Sequence, residues 1–212
     1  MTQYTFTPTQ DGYIKGNPEA AKTTNFGSEI FLQTGEEVDD LLVKIGLYRS
    51  HLEFDVSSLT GLTLVSAVLR VYLRVPTPAG GDLNATCQRN KRAWVEAQQT
   101  WNIYSTGNNW QTAGAGGAND VGTPSDTFTS PPSTASVGWY TLDGLDLLAT
   151  VNDAITNWSN IVKIQLKMDQ ENDGWPGNMW SFESNEGDHP PELIVNDDVV
   201  TENRRRLLAQ TI

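Results

Sequence analysis

The sequence predicts an all-β protein, folded as one antiparallel β-sandwich with one short helix and a C-terminal extension. Three observations lead to this prediction. Apolar and polar residues alternate along several stretches, turn-forming residues cluster between those stretches, and a single stretch before the C-terminus has helical spacing. A chain of 212 residues is long enough for one large sandwich domain.

The clearest alternation lies in Arg49–Val75, which is typical of two strands joined by a short connection. In the first strand, Leu52, Phe54 and Val56 alternate with polar residues. In the second, every other residue from Val65 to Val75 is apolar. A period of two places one set of side chains in the core and the other toward solvent or a partner. So long a strand is typical of the centre of a half-buried antiparallel sheet.

The remaining elements follow from the same signals. The other predicted strands are 4–8, 29–34, 86–92, 139–142, 161–168, 179–184 and 192–196, and 41–48 leads into the central pair. A helix is predicted where Leu147, Val151, Ile155 and Trp158 recur at three- to four-residue spacing, with Asp143 as its N-cap. Gly, Ala, Asn, Ser, Thr and Pro dominate 105–138, which predicts a long loop. The predicted body is 1–196, followed by a tail, 197–212.

Composition excludes several classes of partner. The formal net charge is −12 and the pI is about 4.4. Binding to nucleic acid or to an anionic membrane needs clustered Lys and Arg, so neither partner is expected. The N-terminal residues show no signal-peptide pattern and no apolar run is long enough to span a membrane. The single cysteine, Cys87, cannot form an intrachain disulfide.

Seven motifs in one order, one of them the predicted helix, carry a resemblance to a known family. They are Asp11-Gly-Tyr-Ile, Thr23–Gly35, Arg49–Leu73, Trp94–Asn102, the Trp110 to Asp120 loop and Phe182–Val195, with the predicted helix before the last of them. Over about 3–196 the chain resembles a DNRLRE-type domain, the group that includes carbohydrate-binding module family ninety-six and the disaggregatase-related repeats. The resemblance implies a jelly-roll sandwich and a non-catalytic module.

The same resemblance implies a class of ligand. Modules of this group usually sit inside long secreted proteins, and some bind acidic polysaccharides such as alginate. Here the N-terminal loop offers only Lys15 and Lys22, beside Glu19 and Glu29. This departure argues against an alginate-type polyanion and leaves a neutral glycan open.

No catalytic constellation is evident, and the chain is expected not to be an enzyme. His51 is predicted to form a solvated or inter-strand polar pair on the outward face of its strand, beside Glu53. His189 lies in a turn before two prolines, and Cys87 is predicted to be an ordinary strand residue. No nucleophile elbow, zinc-protease motif or phosphate-binding loop is present.

The tryptophans supply the best indication of glycan binding. Trp110, Trp139 and Trp175 lie in or beside loops, where an exposed ring can stack on the apolar face of a sugar. The competing interpretation is that these rings pin long loops to the body. Trp94 and Trp101 are predicted to be core residues, as is the helical Trp158.

An acidic loop raises the question of calcium, and no other cofactor is expected. Asp169, Glu171 and Asp173 match the first half of a calcium loop, but Trp180 stands where the bidentate Glu of an EF-hand would be. Asp120 or Asp11 could contribute to a structural Ca²⁺ site of another kind. The alternative is a solvated acidic turn.

The tail differs in composition from the body and is expected to be an assembly element. Its basic and apolar residues are Arg204, Arg205, Arg206, Leu207, Leu208 and Ile212. On so acidic a body, a short basic helix predicts docking onto a neighbouring copy or another virion protein. The function expected is therefore a structural phage virion component, such as a head-decoration, collar or fibre subunit, made in the host cytoplasm. The alternative is a free-standing carbohydrate-binding module.

Overall fold

A computed structural model of the chain describes residues 1–39, 41, 43–75, 84–129, 135–142, 144–169, 171 and 179–198. The described residues form thirteen strands and one α-helix, which confirms the all-β prediction. The strands are β1 Gln3–Phe6, β2 Gln10–Lys15, β3 Phe31–Val38, β4 Lys44–Asp55, β5 Leu64–Val75, β6 Asn84–Asn90, β7 Ile103–Ser105, β8 Asn108–Asn109, β9 Val121–Thr129, β10 Gly138–Thr141, β11 Ile161–Met168, β12 Met179–Glu183 and β13 Glu192–Asp197. The helix, α1, is Leu148–Asn157.

Eleven strands join in one curled antiparallel sheet. Their order is β1-β13-β5-β12-β3-β4-β11-β6-β9, with β10 paired to β5 and β2 paired to β4. The two shortest strands, β7 and β8, form a separate pair. One continuous hydrophobic core draws side chains from most of these strands and from α1. Trp180, Phe54 and Phe182 are among its largest fully buried members.

The two central strands predicted from the alternation are β4 and β5. Leu69, Val71 and Leu73 of β5 are fully buried, as expected. The prediction is wrong at the start of β5, where Val65 is 39% exposed and Leu64 is buried instead. The register of the β13–β5 pair shifts at this point, next to Leu64, and such a shift changes which side chains face the core.

The outer face of β4 is covered rather than solvated. A second cluster of buried residues packs over it, made of Ile14, Leu47, Trp94, Trp101, Trp110 and Ala115. Most of these residues come from the segment 91–120, which crosses β4. Gly114 allows the close packing, since it has a φ of +86° and a Cβ there would lie 2.5 Å from the Trp101 ring. His51, on this face, is therefore fully buried, and the prediction of a solvated side chain is wrong.

Part of the predicted loop 105–138 is a strand. β9 pairs with β6 on both sides of a register shift, which leaves Thr123 and Pro124 without partners, and it ends the sheet. Phe128 alone of its nine residues is buried and the others are exposed or partly exposed, so the apolar alternation that marks other strands is absent. Gly122 and Pro124 also argue against a strand in sequence, but an end position tolerates proline.

Helix α1 confirms the helical prediction and lies between the sheet and solvent. Val151 and Ala154 are fully buried against the core. The Asp146 carboxylate accepts the N–H of Leu148 at 2.9 Å, so Asp146 satisfies a free donor at the helix start. Asp143, predicted to be the N-cap, lies outside the described residues. No helix in the described ranges has the length and apolar character needed to cross a membrane.

Candidate glycan-binding surface

The outward face of β5 presents an aromatic ring between two guanidinium groups. Because Leu69, Val71 and Leu73 point into the core, Arg70, Tyr72 and Arg74 point the other way. All side chains of this outer set are partly exposed. The strand thus supplies a polar, cationic and aromatic face over the same stretch in which its other face is fully apolar.

Two further rings complete an aromatic surface, which we define as Tyr72, Trp139 and His189. The His189 ring stacks on Tyr72, with centroids 3.9 Å apart and planes 10° from parallel. Trp139 lies directly opposite Tyr72 in the β10–β5 register and meets it edge-on, at 5.5 Å and 86°. Trp139 is also edge-on to His189, at 6.0 Å. Three rings from distant parts of the chain therefore form one contiguous patch.

The position of each ring is determined by the backbone and by neighbouring charges. The Arg70 guanidinium lies 4.3 Å from the Trp139 ring and forms a salt bridge with Glu192. The Glu183 carboxylate accepts the backbone N–H of His189 at 2.7 Å. The ring Nδ1 of His189 lies 3.1 Å from the same carboxylate oxygen. These contacts orient the rings before any ligand arrives, which lowers the entropic cost of binding.

Trp139 keeps 37% of its surface exposed, although large apolar side chains are mostly covered in this fold. An exposed aromatic face with hydrogen-bonding groups at its edges suits a ligand that has both an apolar face and hydroxyl groups. Here the edge groups are the guanidinium of Arg70, the imidazole of His189 and the carboxylates of Glu183 and Glu192. This arrangement can bind and orient a sugar ring, but it presents no nucleophile activated by a base.

The other predicted glycan-binding tryptophans are placed differently. Trp110 is 4% exposed, and its indole N–H donates to the carbonyl of Thr100 at 2.9 Å. It packs against His51 at 5.3 Å, so it pins the segment 91–120 to β4 and offers no free face to a sugar. Trp175 lies outside the described residues. Of the three, Trp139 alone is described at the surface.

The buried His51 belongs to a hydrogen-bonded layer beneath that segment. Its Nδ1 lies 2.7 Å from Oε1 of Gln99, and its Nε2 lies 3.0 Å from the Gln165 amide nitrogen. Gln165 stands opposite His51 in the β11–β4 register, so the inter-strand part of the prediction holds with Gln165 as the partner instead of Glu53. Burial lowers the pKa of His51 to about 4. The ring is therefore a neutral structural group, not a surface acid or base.

Cys87 is not placed for chemistry either. It lies on β6, as predicted, and is 3% exposed within the core. Burial raises the pKa of its thiol, and the nearby Asp126 charge raises it further. A thiol that stays protonated is a poor nucleophile.

Asp120, predicted as a possible calcium ligand, accepts hydrogen bonds from protein N–H groups in the structure. It is fully buried, and its two oxygens accept from the backbone of Gln111 at 2.8 Å, Thr112 at 3.0 Å and Gly117 at 3.1 Å. The side chain of Arg92 donates to it at 2.9 Å. Burial raises its pKa, but these donors outweigh that effect and the pKa is lowered overall. Asp120 is the organising carboxylate of the segment 91–120.

The acidic loop after β11 is not gathered around a metal in the described residues. Glu171 forms a two-pronged ion pair with Arg49, with 2.9 Å from Arg49 Nε to its Oε1. Asp169 accepts a hydrogen bond from the Thr86 hydroxyl. Asp173 lies outside the described part of the chain. Within that part, no three His, Cys, Asp or Glu side chains are arranged to hold a metal ion.

A buried carboxyl group that the sequence analysis treated only as a spare ligand is Asp11. It is 1% exposed, and its Oδ2 accepts the N–H of Asn185 at 2.7 Å. The pKa of Asp11 is raised to about 8, mainly by burial. The charges of Glu186 and Glu96 also raise this pKa, and the hydrogen bond from the Asn185 N–H lowers it. Burial and Glu186 likewise raise the pKa of Glu96. Asp11 and Glu96 thus favour the protonated form, in which carboxyl groups can lie close together.

Sequence reasoning missed Tyr72 and His189 as members of the surface. Tyr72 could have been found, since it occupies one of the outward, polar positions of the longest alternating strand. His189 lies in a turn far away in the chain, and its stacking depends on β12 and β13 flanking β5. The predicted assembly residues, Arg204 to Ile212, lie outside the described residues.

Comparison with known families gives one match. The sequence model of carbohydrate-binding module family 96 matches residues 2–103, which run from the N-terminus to the start of β7. The matched segment includes β5 and hence Tyr72, whereas Trp139 and His189 lie beyond it. No curated protein gives a significant match to the sequence.

Proposed function

We propose that the protein binds a glycan, without catalysis, on the aromatic surface of Tyr72, Trp139 and His189, on the basis of the match of residues 2–103 to carbohydrate-binding module family 96. The observation that carries the proposal is the exposed Trp139 ring, held edge-on to the stacked pair Tyr72 and His189. The family match supports carbohydrate binding, and the geometry supports this location.

A neutral glycan fits the surface better than a polyanion. Arg70 is already paired with Glu192, and Glu183 lies beside His189. The surface therefore carries carboxylates as well as guanidinium groups, and a strongly anionic chain would meet repulsion there. Hydroxyl groups can hydrogen-bond to either kind of side chain.

The test is a glycan array followed by calorimetry with the strongest ligand. Trp139→Ala is expected to lower the affinity at least tenfold, about 1.4 kcal/mol, because it removes the exposed ring. Val137→Ala is the matched control, since Val137 is 57% exposed and lies two residues earlier. An unchanged affinity in Trp139→Ala, with binding intact in the parent, would place the site elsewhere.

We also infer that the curled sheet has the jelly-roll arrangement that the family resemblance implies. Antiparallel pairing throughout supports this, as does the placement of β13 and β12 beside β5 and of β11 between β4 and β6. Strands that neighbour each other in space without being neighbours in sequence are typical of Greek-key architectures.

A second proposal concerns assembly. The clustering of Arg204, Arg205 and Arg206 in a chain of net charge −12 favours a tail that docks on an acidic partner, as a virion subunit would. Light scattering of the full chain and of a chain ended at Asp198 tests it. An oligomer that becomes a monomer on truncation supports the assembly role, and equal masses count against self-assembly through the tail.

A further inference from the structure

A basic pocket lies between the end of β6 and the turn that joins α1 to β11. Its volume is about 220 Å³. Four cationic side chains line it: Arg89, Lys91, Arg92 and Lys163. The chain has only 14 Lys and Arg against 26 Asp and Glu, so this pocket concentrates positive charge on an acidic protein. It shares no residue with the aromatic surface.

Two of the four cations are neutralised and two are not. Arg92 pairs with Asp120 at 2.9 Å, and Lys163 pairs with Glu53 at 3.1 Å. The Lys91 ammonium donates to the carbonyl of Ala118 at 2.8 Å, which leaves its charge uncompensated. Within the described ranges, Arg89 and Lys91 form no salt bridge with a carboxylate. The pocket therefore retains net positive charge.

Arg89 is held in place by an aromatic ring. Its guanidinium lies 3.6 Å from the centroid of the Trp158 ring, a close cation–π contact. Trp158 directly follows α1 as its C-cap and also lines the pocket. Asp153, on the same helix, acts on Arg89 electrostatically without forming a salt bridge to it. The stacked guanidinium thus keeps its N–H donors free for a ligand.

A buried, unpartnered donor also lies in the lining. Asn90 is 2% exposed and its Oδ1 accepts the backbone N–H of Arg92 at 3.0 Å. That bond fixes which end of the amide carries the oxygen, so the other end is Nδ2, and it has no hydrogen-bond partner. Leaving a buried donor unsatisfied costs about 1–3 kcal/mol. That nitrogen exposes less than 1 Å² of surface, so it is closed to a ligand, and Asn90 serves to hold the backbone of the lining through its bond to Arg92.

We propose that this pocket binds an oxyanion, a carboxylate, sulfate or phosphate group, with charge and hydrogen-bond donors from Arg89 and Lys91. The volume of about 220 Å³ far exceeds the ~10–15 Å³ that one water needs on the same measure, so the pocket has room for a free ion or for an oxyanion attached to a sugar ring. The proposal is independent of glycan binding on the aromatic surface.

The experiment is a ¹⁵N NMR titration of the full chain. Sodium sulfate is compared with sodium chloride at equal ionic strength, and glucuronate is compared with glucose. Saturable shifts at the amides of 90–93 and 159–161 with sulfate and glucuronate, and none with glucose, are expected. Binding of glucuronate alone would assign the site to an acidic sugar, and sulfate alone to a free ion or a sulfate ester. Shifts that do not saturate, or that chloride reproduces, would overturn the proposal.

Variants locate the binding. Arg89→Gln removes the guanidinium that is stacked on Trp158 in the lining, so the oxyanion affinity should fall at least tenfold. Lys91→Gln changes an exposed side chain, leaves the fold intact and should also weaken binding. Lys22→Gln is the control, because it removes the same charge at a residue outside the lining. An equal loss in Lys22→Gln would mean non-specific attraction, and Trp139→Ala should leave oxyanion binding unchanged.

Discussion

The imidazole of His51 is held neutral by its surroundings. It is fully buried between Trp94 and Trp110, at 5.7 Å and 5.3 Å, with one glutamine amide on each ring nitrogen. A neutral ring has one donor and one acceptor, which matches Gln99 Oε1 at Nδ1 and the Gln165 amide nitrogen at Nε2. A charged ring would have to donate from both nitrogens, and the Gln165 nitrogen cannot accept.

We predict from this a loss of stability in acid. The pKa of His51 is lowered from its ordinary 6.5 to about 4 in the folded chain, so the stabilisation is complete above pH 6.5 and is lost as the pH falls through about 4. The size is about 3 kcal/mol. Urea unfolding at about pH 7 and about pH 4 measures it, with His51→Gln as the comparison. Carboxyl groups affect the parent and His51→Gln alike, so they cancel when the two free energies of unfolding are compared. If the two free energies change equally with pH, His51 is not the cause of the acid loss.

Two tryptophans show which residue-scale features could be predicted. Trp110 and Trp139 look alike in sequence, each lying among Gly, Asn, Ser or Thr residues. Trp110 is buried because 91–120 folds across β4, whereas Trp139 lies opposite Tyr72 on the outer face of β5 and stays 37% exposed. Burial of these rings depends on contacts between distant segments. Residue type predicted an aromatic role but could not assign the surface to Trp139.

Among the elements, the segment 91–120 depends on one carboxylate. Asp120 accepts three backbone N–H groups from the segment and one from the side chain of Arg92. The segment in turn supplies Trp94, Trp101 and Trp110 to the second hydrophobic cluster. A polar centre of this kind maintains a long irregular segment that has little secondary structure of its own.

We therefore predict that Asp120→Asn lowers the free energy of unfolding by about 3 kcal/mol, because it breaks the pair with Arg92 and turns an NH₂ group toward backbone donors. Urea unfolding gives the value. Asp188→Asn, at an exposed turn, is the control and should change it by less than about 0.5 kcal/mol. If calcium raised the unfolding temperature of the parent and Asp120→Asn removed that increase, the carboxylate would be a metal ligand instead.

Elements with one buried face were predictable and others were not. On their core faces, β4, β5 and β11 carry fully buried apolar side chains at alternate positions, such as Leu52 and Phe54, Leu69 and Val71, and Val162 and Ile164, which alternation in the sequence reveals. β9 has a single buried side chain, Phe128. It is a strand because its backbone pairs with β6, so its sequence shows no alternation of apolar and polar residues. The second layer over β4 was missed for the opposite reason: it buries polar side chains such as His51, which is hydrogen-bonded to Gln99 and Gln165, and a polar residue in sequence indicates exposure.

On the scale of the whole molecule, the two ends of the described chain close the sheet together. β1 pairs with β13, and β13 pairs with β5. The Asp197 carboxylate accepts the backbone N–H of Thr2 at 2.7 Å. The backbone N–H of Asp197 donates to the carbonyl of Thr2 at 3.0 Å. Asp198 donates to the carbonyl of Thr63 at 2.8 Å. The folded body thus extends two residues beyond Asn196, the boundary that the composition change suggested.

The last prediction follows from these closing contacts. A chain ended at Asp198 should unfold at the same temperature as the full chain, whereas a chain ended at Asn196 should lose about 1–3 kcal/mol, because Thr2 and Tyr4 lose their hydrogen-bond partner. For a chain of this size each kcal/mol corresponds to about 2–4 °C, which thermal unfolding followed by circular dichroism resolves. Equal unfolding temperatures for the two truncations would return the boundary to Asn196. Because the chain ended at Asp198 keeps the contacts of β13, any change in its oligomeric mass can be assigned to the basic tail and not to a damaged sheet.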